Sequence, residues 1–275
     1  MNITFLGGGN MASALIGGMI EHGFDPGDIL AIDIDAASRE RLQARFGVRA
    51  QAAPGSGEPA NGGVLVLAVK PQQMKTALAP LAGTLRDTLV ISIAAGLRLA
   101  DIGRWLGKNA SSPARLVRCM PNMPALIGAG VTGMYAAPDV DAAGREAAER
   151  ILATAGSVVW VDDEARLDAV TGLSGSGPAY VFHFIEALEA AALAHGFDAA
   201  AARRLAIDTV LGAAKLAAAS EDSPSALREK VTSKGGTTAA ALARLAAAGW
   251  GGALIGAVAA AAERSRALGE EFGQD

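Results

Sequence analysis

Aromatic residues, cysteine and histidine are all scarce in this 275-residue chain, and each shortage closes off a class of protein. With aromatics at 4%, packing must run through alanine and glycine, which dominate the apolar fraction, and not through large rings. The single cysteine, Cys119, excludes an internal disulfide and a thiolate metal site, and it suits a reducing compartment. His22, His183 and His195 are scattered with no ligand spacing, so no metal site is expected. A net charge of −4 offers no basic footprint for nucleic acid or an anionic membrane surface. The first six residues lack a basic region and lead straight into a glycine turn, so no signal peptide is expected and the expected location is the cytoplasm.

One stretch resembles a membrane span in length. Residues 245–262 carry no charge, which is close to the ~20 apolar residues that a span needs. Most of them are alanine or glycine, however, and Gly249, Gly251 and Gly252 would break a helix near the middle. A buried interface helix is the expectation, and no membrane partner.

What is present is an α/β pattern followed by an all-helical one. Residues 3–6, 29–33, 64–69, 89–93, 116–120 and 158–161 read as strands, several continuously apolar, as strands of a parallel sheet covered on both faces are. Helices are expected between them near 11–22, 38–46, 72–81 and 142–154, with a turn-rich, mobile loop at 53–59. This is an N-terminal Rossmann-like, doubly wound parallel sheet, expected over residues 1–161. From 162 to 275 the strands stop, and helices are expected at 179–195, 199–220, 238–248 and 253–268. So alanine-rich a half buries too little apolar surface alone, and packing against a second copy is the usual remedy. It is read as a dimerisation domain, giving a homodimer or a larger homo-oligomer of dimers.

Leu6 ends the first strand, and Gly7, Gly8, Gly9, Asn10, Met11 and Ala12 follow it into a helix. Gly7, Gly9 and Ala12 satisfy G-x-G-x-x-G/A. The first glycine makes the tight turn, the second lets backbone approach a pyrophosphate, and Ala12 permits close helix–strand packing. Alone these glycines mark only a turn; at the first strand–helix junction of an α/β half they indicate dinucleotide binding. The second strand ends in Asp33, where a carboxylate would bond ribose hydroxyls and repel a 2′-phosphate. Asp35 adds negative charge, and no arginine or lysine precedes Arg39, so the sequence leans mildly towards NADH over NADPH.

Further segments resemble one family over essentially the whole chain. They are Ala68, Val69, Lys70, Pro71 and Gln72 after one strand; Met120, Pro121 and Asn122 after another; residues 174–180, Ser-Gly-Ser-Gly-Pro-Ala-Tyr; and residues 231–238, Val-Thr-Ser-Lys-Gly-Gly-Thr-Thr. With the glycine turn, these are similar to pyrroline-5-carboxylate reductase, and the last segment is the most specific. The resemblance implies reduction of L-1-pyrroline-5-carboxylate to L-proline with NAD(P)H. It implies that residues 68–71, together with Ala94, Ala95 and Gly96, line the nicotinamide half of the cofactor, with Met120, Pro121 and Asn122 beside them. It also implies that each active site joins one subunit's cofactor domain to its partner's helices. Two departures stand out: many relatives have proline in place of Lys234, and many have an Asn-Arg-like pair in place of Asp33 and Ile34. The second puts the usual NADPH preference in doubt.

The residues themselves support a small-carboxylate site. Adjacent Gly235 and Gly236 free the backbone to point N–H groups one way, beside Ser233 and ahead of a helix expected at Thr238. A simpler reading, a glycine connection capped by Thr237 or Thr238, leaves the rest of the segment without a purpose. A cyclic imine needs orientation and a proton more than covalent chemistry. By resemblance the hydroxyl near its nitrogen is Thr238, with Glu221 at the substrate end. Cys119 is read as a small strand residue and Lys70 as a cofactor contact.

Three rivals are worth carrying. A β-hydroxyacid dehydrogenase would match at Gly172, Gly175 and Gly177, but its proton-handling lysine falls on Val181. A non-catalytic nucleotide sensor has no need of the 233–238 loop. A reductase of a related six-membered imine differs by one methylene, worth only about 1–3 kcal/mol.

Overall fold

The computed structural model describes residues 1–55, 62–107 and 115–274. Residues 56–59 of the expected 53–59 loop lie outside them. Contacts divide the described chain into two compact units, Met1–Ser176 with Ala259–Asp275, and Gly177–Val258.

In the first unit, eight strands form one sheet. They are β1 (Ile3–Leu6), β2 (Ile29–Ile32), β3 (Arg49–Gln51), β4 (Val64–Leu67), β5 (Leu89–Ser92), β6 (Arg115–Met120), β7 (Gly130–Ala136) and β8 (Gly156–Trp160), in the order β3-β2-β1-β4-β5-β6-β7-β8. Every neighbouring pair is parallel except β6 and β7. The doubly wound sheet is therefore as expected, with one antiparallel correction. The link from β6 to β7 is one short 3-10 segment, Met123–Ile127, too short for the crossover that a parallel neighbour requires. Every residue of β1, β2, β4 and β5 is buried, which is why they read as unbroken apolar runs. Each fully buried aliphatic side chain there contributes about 1.5–3 kcal/mol.

Helices α1 (Asn10–Glu21), α2 (Ala36–Phe46), α3 (Met74–Leu78), α4 (Leu99–Trp105), α5 (Ala142–Leu152) and α6 (Arg166–Val170) accompany the sheet. Asp35 caps α2 by accepting from the Ser38 N–H at 3.0 Å, and left-handed Gly47 ends it. The helix expected at 72–81 is split, with 3-10 turns at Pro71–Gln73 and Ala79–Leu81 around α3; Pro80 removes a donor from the ladder at its end, while Pro71 only starts the first turn. A single π-helical segment, Thr171–Gly175, follows α6.

The second unit is helical: α7 (Gly177–Ala194), α8 (Ala199–Ala219), α9 (Pro224–Lys230), α10 (Thr237–Ala247) and the first part of α11 (Trp250–Gly273). Helices α7, α9 and α10 contain no fully buried residue. Phe182 is 48% exposed, Trp250 49% and Ile255 74%, an apolar surface that a lone soluble chain does not ordinarily present. Left-handed Gly249 separates α10 from α11, as expected, whereas Gly251 and Gly252 are absorbed into the first turn of α11. Among the described residues no single helix is long and apolar enough to cross a membrane; the pair α10 and α11, bent by 52°, passes on length and composition only.

The expected boundary between 161 and 162 follows β8, whereas the contacts divide the chain after Ser176 and return the last part of α11 to the first unit. The difference arises because α6 and the π segment pack on the sheet: a Cβ on Gly133 of β7 would lie 2.6 Å from Val170 Cγ1.

Candidate active site

Gly7 follows β1 at φ +104°, and a Cβ there would lie 2.7 Å from the Ala68 carbonyl. Two backbone bonds hold this crossing, from the Gly7 N–H to the Ile32 carbonyl at 2.7 Å and from the Ala68 N–H to the Leu6 carbonyl at 2.8 Å. The ends of β1, β2 and β4 are thereby drawn together, and only glycine fits between them. Gly9 is different. It caps α1 with no side-chain bond, no acid occupies the first turn, and a Cβ on it would meet nothing within 4 Å. Open space in front of uncapped helical N–H groups suits an anion. Ala12 is fully buried, as close helix–sheet packing requires.

These elements line a cleft of about 530 Å³. Leu6, Gly7, Gly9, Asp33, Ala68, Val69 and Lys70 all reach it, seven of the eighteen residues singled out for the cofactor. Pro71 begins the adjoining 3-10 turn, and Asn10 and Met11 open α1. Lys70 is exposed.

Asp33 accepts the Gly8 N–H at 2.6 Å and the Asp35 N–H at 2.8 Å, so its carboxylate is fixed at the mouth of the glycine turn. The Ser38 hydroxyl and N–H hold the Asp35 carboxyl below its ordinary range. Two guanidinium groups occupy the same corner. Arg39 donates to the carbonyls of Asp33 and Ile34 at 2.8 and 3.0 Å, and Arg41 to the Gly8 carbonyl at 2.9 Å. The helix after β2 folds both back towards the turn, which their later place in the sequence did not suggest.

Ala94, Ala95 and Gly96 follow β5, and Met120 ends β6, so both groups stand at the C-terminal edge of the sheet, one and two strands along from β4. This edge is where ligands bind in open α/β sheets. Asn122 is largely occupied with the protein itself: its amide donates to the Ser174 carbonyl at 2.9 Å and accepts from the Val131 N–H at 2.8 Å. It ties the end of β6 to β7 and to the π segment. Burial pushes the Cys119 thiol far above its ordinary pKa, which removes it as a nucleophile.

Sequence reasoning missed several residues of the cleft wall, among them Ala52, Pro54, Gln73, Thr76 and Pro80. Ala52 and Pro54 come from the segment after β3, whose polar Arg-Ala-Gln gives no strand signal.

In the second unit, Gly235 is left-handed at φ +72°, and the Gly236 N–H closes a turn onto the Ser233 carbonyl at 3.0 Å. A Cβ on Gly236 would lie 2.4 Å from Ser233 Oγ, a contact that rotation of the serine hydroxyl relieves, so glycine is demanded more strictly at left-handed Gly235. Helix α10 starts at Thr237 with Gly236 as its cap and no side-chain capping bond. The simpler reading, a threonine cap, therefore fails, and the first-turn N–H groups of Thr237, Thr238 and Ala239 keep their capacity for an anion. Glu221 is exposed between α8 and α9. Among the described residues no cluster of acids, histidines and cysteine could hold a metal.

Comparison with known proteins agrees in both halves. The model "Pyrroline-5-carboxylate reductase dimerisation" matches residues 164–268, and "NADP oxidoreductase coenzyme F420-dependent" matches residues 2–96. A pyrroline-5-carboxylate reductase of Pseudomonas aeruginosa is 42% identical over 273 residues, covering 99% of this chain and 98% of its own. One of Synechocystis is 41% identical, covering 98% of this chain and 99% of its own. The solved structure of a pyrroline-5-carboxylate reductase from Coxiella burnetii superposes with a TM-score of 0.90 at 40% identity, covering 97% of this chain and 98% of that one. That of Plasmodium falciparum pyrroline carboxylate reductase, with NADP bound, gives 0.84 at 26% identity, covering 98% of each chain.

Proposed function

The chain belongs to the pyrroline-5-carboxylate reductase family, and from that membership we propose how its residues divide the work. It is an NAD(P)H-dependent oxidoreductase that reduces L-1-pyrroline-5-carboxylate to L-proline, the last step of proline biosynthesis. It acts as a homo-oligomer through its helical region. The dimer is the working unit we propose, in the cytoplasm.

The residues present fit a dinucleotide, since the space in front of Gly9 is open and α1 begins without a side-chain cap. In this reading the α1 N–H groups hold the pyrophosphate, Asp33 meets the adenosine ribose, and residues 68–71, 94–96 and 120–122 flank the nicotinamide. When bound, the reduced nicotinamide supplies a hydride to the C=N carbon. The chain's own residues then have two tasks, to hold the substrate carboxylate and to manage the proton on the imine nitrogen. The first falls to the backbone of Ser233, Gly235, Gly236 and Thr237, where N–H groups and the helix dipole receive an anion without an arginine. The second falls to the Thr238 hydroxyl, a neutral donor that carries no charge into the site. Glu221 belongs to the substrate end.

The observation that carries this reading is the uncapped start of α10 behind the Ser233–Gly236 turn. Its test is Thr238→Ala. Loss of a positioned proton donor lowers kcat by about 100-fold, with cofactor affinity unchanged by titration; a kcat equal to wild type would remove Thr238 from the mechanism.

A further inference from the structure

An ion network in the first unit has no part in the roles given so far. Arg118 of β6 is 2% exposed, and its guanidinium lies 3.1 Å from Glu164 and 3.8 Å from Asp168. Asp168 of α6, 7% exposed, receives Arg98 at 2.5 Å and the Ser265 hydroxyl of α11 at 2.9 Å. Glu164 also accepts the Leu99 N–H at 2.8 Å. Burial pulls the Arg118 pKa below its ordinary value even with two carboxylates facing it. Packing alone would not demand such a group, because apolar residues of similar volume often hold a core as well or better than a buried ion pair.

Its position gives it a use. Arg98 and Leu99 follow the 94–96 turn after one residue, Leu97, and Arg118 precedes Met120 by two residues. Gly96 sits at φ +82°, a conformation that side chains rarely adopt. On its other side, a Cβ on Gly269 of α11 would lie 2.5 Å from the Gly96 carbonyl oxygen. Ser265 and Gly269 are one helical turn apart, so the residue that bonds Asp168 and the residue that meets the turn share a face.

We propose that Asp168 is a positioning residue for the 94–96 turn, holding it from the sheet side through Arg98 and from the α11 side through Ser265 and Gly269. This rests on the assignment of residues 94–96 to the nicotinamide. The last turns of the C-terminal helix thereby set the nicotinamide end of the cofactor site, while the pyrophosphate and adenosine ends are set by α1 and β2.

The test compares binding of NADH with that of ADP-ribose, which lacks the nicotinamide. Ser265→Ala is a small change on a helix, preferable to Asp168→Asn, which leaves two arginines short of charge, whereas Gly269→Ala drives a Cβ against the Gly96 carbonyl and displaces the turn directly. Ala95→Leu alters the exposed turn directly. The inference expects Ser265→Ala and Gly269→Ala to weaken NADH about tenfold with ADP-ribose unchanged, and Ala95→Leu to do the same. If only Ala95→Leu weakens NADH, the nicotinamide assignment stands and the positioning role is overturned. Equal loss of both ligands in Ser265→Ala and Gly269→Ala would mark a merely structural network and also overturn it. If Ala95→Leu leaves NADH binding untouched, the assignment itself fails and the inference falls with it.

Discussion

The Gly8 N–H donates to the Asp33 carboxylate at 2.6 Å, joining the glycine turn directly to the end of the second strand. With its other oxygen on the Asp35 N–H, the carboxylate cannot swing away. A fixed negative charge there favours ribose hydroxyls and opposes a 2′-phosphate. Arg39 and Arg41 in the same corner moderate that bias. Asp33→Asn therefore raises the ratio of kcat/KM for NADPH over NADH, by about tenfold. Steady-state kinetics with both cofactors measures it. An unchanged ratio would assign cofactor choice to the arginines.

Gly7 and Gly9 serve different ends, and substitution separates them. Gly7→Ala places a Cβ 2.7 Å from the Ala68 backbone at φ +104°, a strain of about 1–3 kcal/mol at least, so the melting temperature falls. A Cβ on Gly9 meets no protein atom within 4 Å, so Gly9→Val projects into open space. It melts as the wild type does but loses NADH binding, because its side chain fills the pyrophosphate space. A Gly9→Val protein that binds normally would move the pyrophosphate elsewhere.

The Ser233–Gly236 turn offers a parallel test at the substrate end. A Cβ on Gly236 would lie 2.4 Å from Ser233 Oγ, so Gly236→Ala must turn that hydroxyl out of its place in the loop. KM for the imine rises, by about tenfold, while NADH affinity holds. If KM is unaltered, the carboxylate lies elsewhere.

Cys119 is buried in β6, and burial raises its thiol pKa. The folded enzyme resists iodoacetamide and stays active, whereas the unfolded chain is alkylated. Mass spectrometry of the two reads this out, and rapid labelling of the native protein would contradict the assignment.

Much of the fold could be read from residue order because β1, β2, β4 and β5 are buried along their whole length. Strand β7 could not. Gly130 and Gly133 resemble loop residues, yet each is glycine because a neighbour leaves no room for a Cβ. Asp33 was legible because it lies a fixed spacing from the glycine turn. The Arg98–Asp168 pair was not, since 70 residues separate its members and no periodicity joins them. Asn122 could be singled out from the sequence, but not its bonds to Val131 and Ser174, which only the packed fold brings within reach.

The most direct test mixes the purified protein with L-1-pyrroline-5-carboxylate and, separately, NADH or NADPH, following cofactor oxidation and assaying the product. The account predicts oxidation of either cofactor with an equal amount of L-proline formed. Cofactor that binds but is not consumed, or is consumed without proline appearing, would contradict it.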